Sequence, residues 1–292
     1  MAVAVPNFSE GLDRDAVAAI STAFGGAEVL DRHTDEVHNR TVLTLTAPDD
    51  AIVAELAAGA RACVELIDMN EHNGAHPCVG ALDVCPLVWL TERDRATTAS
   101  LALATAAEIA ELGVPVFLYG ELASSEERRE RAYFRRGGLE MLSGRMRLGE
   151  LAPDLGPSGP HPTAGATLVT ARPPLAAFNL ELDTDELYVA RAIAQKLRES
   201  GGGPAGVRAV GIDLGDRAQV STNIHDPAAV PLAAVIERVR ELAARHGARP
   251  VRGEVVGLVP EAALAGLPAD LAMGAFDADE QVLERRLERL DR

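Results

Sequence analysis

The order in which the hydrophobic period changes is the strongest constraint on this chain's fold. Residues 2–6 alternate like a short strand, and Leu12 to Phe24 then carries Val17, Ile20 and Phe24 at helical spacing. Residues 27–31 read as a strand, and Thr41 to Thr46 alternates with period two. Pro48 suits a first helical turn, behind which Ile52, Val53, Leu56, Ala60, Val64 and Ile67 form one apolar stripe. A Gly/His/Pro loop over 70–80 leads into an apolar run from Ala81 to Leu90. The order is β-α-β-β-α-β, and it returns later. Strands are expected at 175–182, 207–213, 217–224 and 249–257, with helices at 184–199 and 231–246. Two split βαβ units predict an α+β fold of two ferredoxin-like domains, 1–172 and 173–292, each with helices packed on one face of its sheet.

Between the two units the pattern predicts a helix from Thr91 to Leu112 and a strand from Val114 to Tyr119. Thr91 and Asp94 suggest a capping box, and Gly113 suits the position after the helix. A charged helix is expected from Ser124 to Arg136, ended by Gly137-Gly138. Its interspersed signs predict a solvated face. Residues 151–165 are too rich in Pro and Gly for regular structure, and loops this long are usually functional or linkers. The charged tail at 278–291 packs through Val282, Leu283, Leu287 and Leu290 or frays.

Charge and cysteine usage narrow the function classes. A net charge of −16 and 3% aromatics argue against nucleic acid, which needs a basic stripe and stacking surfaces. An anionic membrane surface is disfavoured for the same reason. The N-terminus lacks a basic region and meets Pro6 early, so no signal peptide is expected. Leu101 to Tyr119 is interrupted by Glu108 and Glu111 and is not expected to span a bilayer. Cys63, Cys78 and Cys85 are odd in number without CxxC spacing, which fits a reducing cytoplasm and no structural metal.

Three places suit chemistry. His72 and His76 are four apart, but Gly74 and Pro77 argue against the helix a metal pair would need. Pro77 instead restricts His76 to an extended, loop-borne pose, and a neutral-pH imidazole is the commonest general acid/base. His38-Asn39-Arg40 stands at the mouth of a strand, where Arg40 suits a carboxylate clamp or an ordinary pair with Asp35 or Glu36. The third is the Gly/Pro loop after residue 155, read as lying between the putative domains.

Ordered fragments then carry a resemblance over nearly the whole chain. They are Val5-Pro-Asn-Phe-Ser-Glu-Gly11, His38-Asn-Arg-Thr41, Leu66-Ile-Asp-Met69, His76-Pro77, Gly80-Ala-Leu-Asp-Val-Cys-Pro86, and Val114-Pro-Val-Phe-Leu-Tyr-Gly120. Ala152-Pro-Asp-Leu-Gly-Pro157, Ala177-Phe-Asn179, Ala218-Gln-Val-Ser-Thr-Asn223 and Val256-Gly-Leu-Val-Pro260 continue the series. Together they resemble the glutamate formimidoyltransferase family.

The resemblance implies transfer of a formimidoyl group from N-formimidoyl-L-glutamate to N5 of the co-substrate tetrahydrofolate, without a metal. It also implies N- and C-terminal subdomains and a homodimer. The family's catalytic histidine falls on His76. Its folate-contacting loop falls on Gly156, Pro157, Ser158, Gly159, Pro160, His161, Pro162, Thr163, Ala164 and Gly165, with a further contact near Gly206. The anionic substrates need local cations, for which Arg40 and Arg172 are the candidates, and Asn179 suits orienting the pterin or amidine. The usual Lys-Gly-Glu-His-Pro-Arg reads Asn73-Gly-Ala-His-Pro-Cys78 here, and Lys196 is the only lysine in the chain. These departures keep two alternatives in view, a paralogue moving one-carbon units between other amines and a silent folate-binding protein.

Overall fold

Pro6 splits the first alternating segment, because a proline has no N–H for the ladder. The result is two short strands, β1 (Ala2–Ala4) and β2 (Asn7–Phe8). In the computed structural model, which describes residues 1–75 and 77–290, they are followed by α1 (Arg14–Ala23), β3 (Glu28–Asp35) and β4 (Arg40–Ala47). Next come α2 (Ile52–Leu66), β5 (Leu82–Val88), α3 (Arg95–Glu111), β6 (Val116–Leu118), α4 (Arg131–Arg135), α5 (Gly138–Arg147) and β7 (Thr167–Arg172). These elements make up the first of two compact units, Met1–Pro173. The second, Pro174–Arg292, holds β8 (Ala176–Leu182), α6 (Leu187–Leu197), β9 (Val207–Asp213), β10 (Ala218–Ile224), α7 (Leu232–Ala244) and β11 (Pro250–Val255). It ends with β12 (Ala272–Met273), α8 (Ala278–Gln281) and α9 (Leu283–Leu290).

Both units have the ferredoxin-like strand order anticipated from the periods. In the second unit the order is β12-β11-β8-β10-β9, antiparallel except for the added edge strand β12. Its core is built from Phe178, Leu180 and Leu182 of β8, Ile193 of α6 and Ile236 and Val239 of α7. In the first unit β5 flanks β1 and β2, which flank β4, with β3 at the edge. The first unit adds two strands beyond β5, because β7 pairs parallel with both β5 and β6.

Four local expectations are corrected. No strand was expected at Thr167–Arg172, yet β7 pairs there with both β5 and β6. It is buried along nearly its whole length, so it shows no period-two alternation. Helix α5 was also missed, since Gly138, Ser143 and Gly144 dilute its helical signal. The expected charged helix is instead a 3-10 turn (Glu126–Arg129), an extended Glu130 and the short α4. At α3 no capping box forms. The Thr91 hydroxyl donates to the Asp94 carboxylate at 2.8 Å, and the helix begins only at Arg95. Gly113 does follow the helix, with φ +80.

The sheet of the first unit has cores on two sides. Ile20 of α1, Leu56 and Ala60 of α2 and Ala106 of α3 pack with Leu43, Leu45, Leu87 and Val169. Phe134 of α4 and Leu142 and Met146 of α5 pack with Val84, Phe117 and Leu168. The second of these cores decides where α4 sits, and α4 carries Arg131 and Arg135. Among the described residues no helix is long and apolar enough to cross a membrane.

Gly59 on α2 shows how tight the first core is. A Cβ there would overlap the fully buried ring of Phe24, at the end of α1. Gly59→Ala gains helix propensity, but the aromatic ring has no room to move aside. The expected net loss is about 1–3 kcal/mol, read as a lower urea midpoint at unchanged slope.

Candidate functional site

Residues 68–80 connect α2 to β5, and the backbone on both sides of position 76 is tied to the scaffold. His76 itself lies outside the described residues. Upstream the tie is the turn between β3 and β4. Asn39 adopts φ +45, the only positive value at a non-glycine residue among those described. Asparagine tolerates this left-handed geometry better than most residues. Its Oδ1 accepts the Gly11 N–H at 2.8 Å, its Nδ2 donates to the Asn73 carbonyl at 3.1 Å, and Nδ2 lies 3.3 Å from His72 Nδ1. The Ala75 N–H donates to the Val37 carbonyl at 3.1 Å. Gly74 passes so close to the His38 carbonyl that a Cβ would clash.

The turn is braced from beneath. Asp35 accepts the His38 backbone N–H at 2.8 Å, and its other oxygen lies 2.5 Å from His38 Nδ1. Burial alone would raise the Asp35 carboxyl, but the His38 hydrogen bonds and the His38 and His33 charges outweigh it and hold it at about 2. Downstream of His76, the Val79 N–H donates to Asp83 Oδ1 at 2.8 Å, and Ser9 Oγ donates to the Gly80 carbonyl at 2.8 Å.

Asp83 organises the charges here. It is 1% exposed, and its Oδ2 pairs with Arg135 of α4. Asp83 also exerts its charge on Arg40, Arg131 and Cys78. Burial, reinforced by Arg135, lowers Arg40 to about 10. Burial, followed by Arg135, likewise lowers Arg131. Arg172, at the end of β7, is lowered to about 10 by burial, with Tyr119 opposing and Arg131 contributing. Its Nη1 donates to the Pro173 carbonyl at 2.9 Å. Arg131 therefore lies within electrostatic reach of both arginines singled out from the sequence. Burial and Asp83 push the Cys78 thiol up to about 11, so it is uncharged at neutral pH. Burial pushes His72, within the loop, below its ordinary value, which favours the neutral imidazole.

Sequence reasoning missed Arg131 and Arg135 by assigning 124–136 to a solvated face. Arg135 is 11% exposed and Arg128 is 15% exposed, the latter paired with Asp154 at 3.1 Å. A signal was available in Asp83, a lone carboxylate inside the apolar run 81–90. A buried carboxylate needs a partner.

The Gly/Pro loop lies inside the first unit and does not join the two. Thr163 accepts the Met69 N–H at 2.7 Å, and the Pro162 carbonyl accepts from Asn70 Nδ2 at 3.0 Å. His161 and Gly165 exchange backbone hydrogen bonds at 2.8 and 3.2 Å, and His161 Nδ1 accepts the Ala164 N–H at 3.0 Å. Gly156 (φ +83) and Gly165 (φ +70) each abut a backbone carbonyl, of Val114 and Val79 respectively. Gly159 and Ser158 lie between, on a stretch where a Cβ at Gly159 would meet nothing. In the second unit, Asn179 is buried on β8 and donates to Glu254 Oε2 at 3.1 Å. Gly206 (φ +75) forms the turn before β9, where its N–H donates to Glu199 Oε2 at 3.1 Å.

Comparison with known proteins bears on both units. The family described as the formiminotransferase domain, N-terminal subdomain, matches residues 1–172, and the formiminotransferase domain matches residues 177–270. A glutamate formimidoyltransferase of Streptococcus pyogenes serotype M1 is 38% identical, covering 97% of each chain. One from Thermoplasma acidophilum is 37% identical over 98% of this chain and 96% of its own. The formimidoyltransferase-cyclodeaminase of Sus scrofa is 40% identical over 89% of this chain and 50% of its own length.

Two outcomes follow from the turn. Asn39→Gly keeps the left-handed backbone but removes the amide. It should cost about 1–2 kcal/mol and speed hydrogen exchange at Gly11. Asp35 titrates below its ordinary 3.8. Its contribution, on the order of 2 kcal/mol, is thus fully present above about pH 4 and lost as pH falls toward 2. Urea midpoints across pH 2–5 should show this loss in the wild type and not in Asp35→Asn.

Proposed function

Because the chain belongs to the formiminotransferase family, we propose that it transfers a formimidoyl group from N-formimidoyl-L-glutamate to N5 of tetrahydrofolate, with His76 moving the proton. The observation that carries this reading is the end-to-end match to a glutamate formimidoyltransferase of nearly equal span. The products are L-glutamate and 5-formimidoyltetrahydrofolate.

His76 accepts the N5 proton as nitrogen bonds to the amidine carbon. It then returns that proton to the departing glutamate nitrogen as the old C–N bond breaks. One imidazole serves both steps, since the proton gained in the first is spent in the second. Such general acid/base work typically contributes about 10²–10⁴-fold. The ties through Asn39, Val37 and Asp83 support a fixed backbone on either side of position 76. An uncharged His72 adds no repulsion toward a cationic amidine. The loop from Gly156 to Gly165 serves the folate, and its hydrogen bonds to Met69 and Asn70 support a folate site next to the histidine loop. Gly206 and Asn179 complete the reading, Gly206 by a backbone contact to folate and Asn179 by orienting the pterin or amidine. Arg40 and Arg172 supply cations for substrate carboxylates. The working form is a homodimer in a reducing cytoplasm, with residues 1–172 and 173–292 as its two subdomains, and no metal takes part.

The test is to mix the purified chain with tetrahydrofolate and N-formimidoyl-L-glutamate and follow both the 5-formimidoyltetrahydrofolate absorbance and glutamate release. His76→Ala should lower kcat by about 10²–10⁴ with an unchanged circular dichroism spectrum. Wild-type turnover retained in that variant would remove His76 from the mechanism. Turnover only with other amidines would favour the paralogue, and folate binding without turnover the silent protein.

A further inference from the structure

We propose that Arg131 and Arg135 of α4, together with Arg40 of β4, form a binding site for a glutamyl carboxylate. This rests on the formimidoyl-transfer reading for its substrates, and it adds residues that the sequence did not single out.

The first observation is an imbalance of charge. Asp83 accepts the Val79 N–H through one oxygen and Arg135 through the other, and its charge also reaches Arg40 and Arg131. Asp35, the other carboxylate acting on Arg40, accepts the His38 N–H through one oxygen and lies 2.5 Å from His38 Nδ1 through the other. Glu130 adds one more negative charge near Arg131. Against these stand Arg40, Arg131 and Arg135, within electrostatic reach of one another, and Arg172 beyond Arg131. The surplus is positive in a chain whose net charge is −16. Exposed arginines on such a protein would find acidic neighbours readily. Holding these together where water reaches them only in part is unfavourable unless an anion joins them.

The second observation is an unused donor. Arg135 Nε is buried and has no hydrogen-bond partner, although the same guanidinium pairs with Asp83 through Nη2. Buried donors are almost always satisfied, and an exception calls for a missing partner. A guanidinium fork held at one edge by Asp83 keeps its other donors in fixed geometry, which suits a planar carboxylate.

The third is position. Cys78 lies within reach of the charges of Asp83, Arg135 and Arg40, and it is two residues from His76. An anion held by these arginines therefore binds near the segment that leaves position 76. Glutamyl carboxylates occur both on the formimidoyl donor and on the folate tail. The shared chemistry is what the site recognises, and kinetics separates the two sources.

Arg131→Gln is the main variant, because removing Arg135 would leave Asp83 buried without its partner. Arg131→Lys is the conservative control. L-glutamate binding to the full chain, measured by calorimetry, should weaken about ten- to a hundredfold in Arg131→Gln and recover in part in Arg131→Lys. In turnover, one KM should rise by more than kcat falls. A rise for N-formimidoyl-L-glutamate assigns the site to the donor, and a rise for tetrahydrofolate assigns it to the tail. Turnover with both KM values and glutamate binding unmoved would overturn the site and leave the transfer reading intact. Arg131-dependent glutamate binding in a wild type that turns nothing over would do the reverse.

Discussion

A carboxylate excluded from water needs fixed donors in place of its hydration, and Asp83 is the residue where this chain meets that demand. One oxygen takes the N–H of Val79, at the end of the histidine loop, and the other takes Arg135, on a helix 52 residues later. Breaking a buried pair of this kind usually costs several kcal/mol, because the surviving charge is stranded. The pair therefore locks the start of β5, the exit of the loop and the placement of α4 into one arrangement.

Around that pair the first unit departs from a minimal ferredoxin-like sheet. Strand β7 inserts between β5 and β6, and its other side supports the small core beneath α4 and α5. Phe134 anchors α4 in that core, against Phe117 at 5.1 Å between ring centroids. The apolar anchor and the arginines are on the same short helix. Packing of Phe134 thus helps hold Arg135 against Asp83.

The histidine loop gets its order from groups that sequence patterns describe poorly. Asn39 works through a left-handed backbone and a three-way amide, and Gly74 works by lacking a side chain against a carbonyl. The Gly/Pro loop is similar. Its composition announces irregular backbone, but its hydrogen bonds to Met69 and Asn70 place it beside the histidine loop within one unit. Backbone carbonyls as partners leave no trace in residue types, so neither attachment was legible beforehand.

Periodicity by itself determined the α+β class and the twice-repeated β-α-β-β-α-β order, because burial on one face imposes period two on strands and a period near 3.6 on helices. The ordered motifs likewise determined the family. Fully covered elements such as β7 escaped, since burial on both faces removes the alternation. Tertiary structure alone decided that Arg131 and Arg135 belong beside Asp83, Arg40 and Cys78 and not on a solvated face. Mixed charges along a segment look the same whether they meet water or one another. Only the fold brings residues 50 positions apart close enough for Coulomb attraction and desolvation to choose between the two.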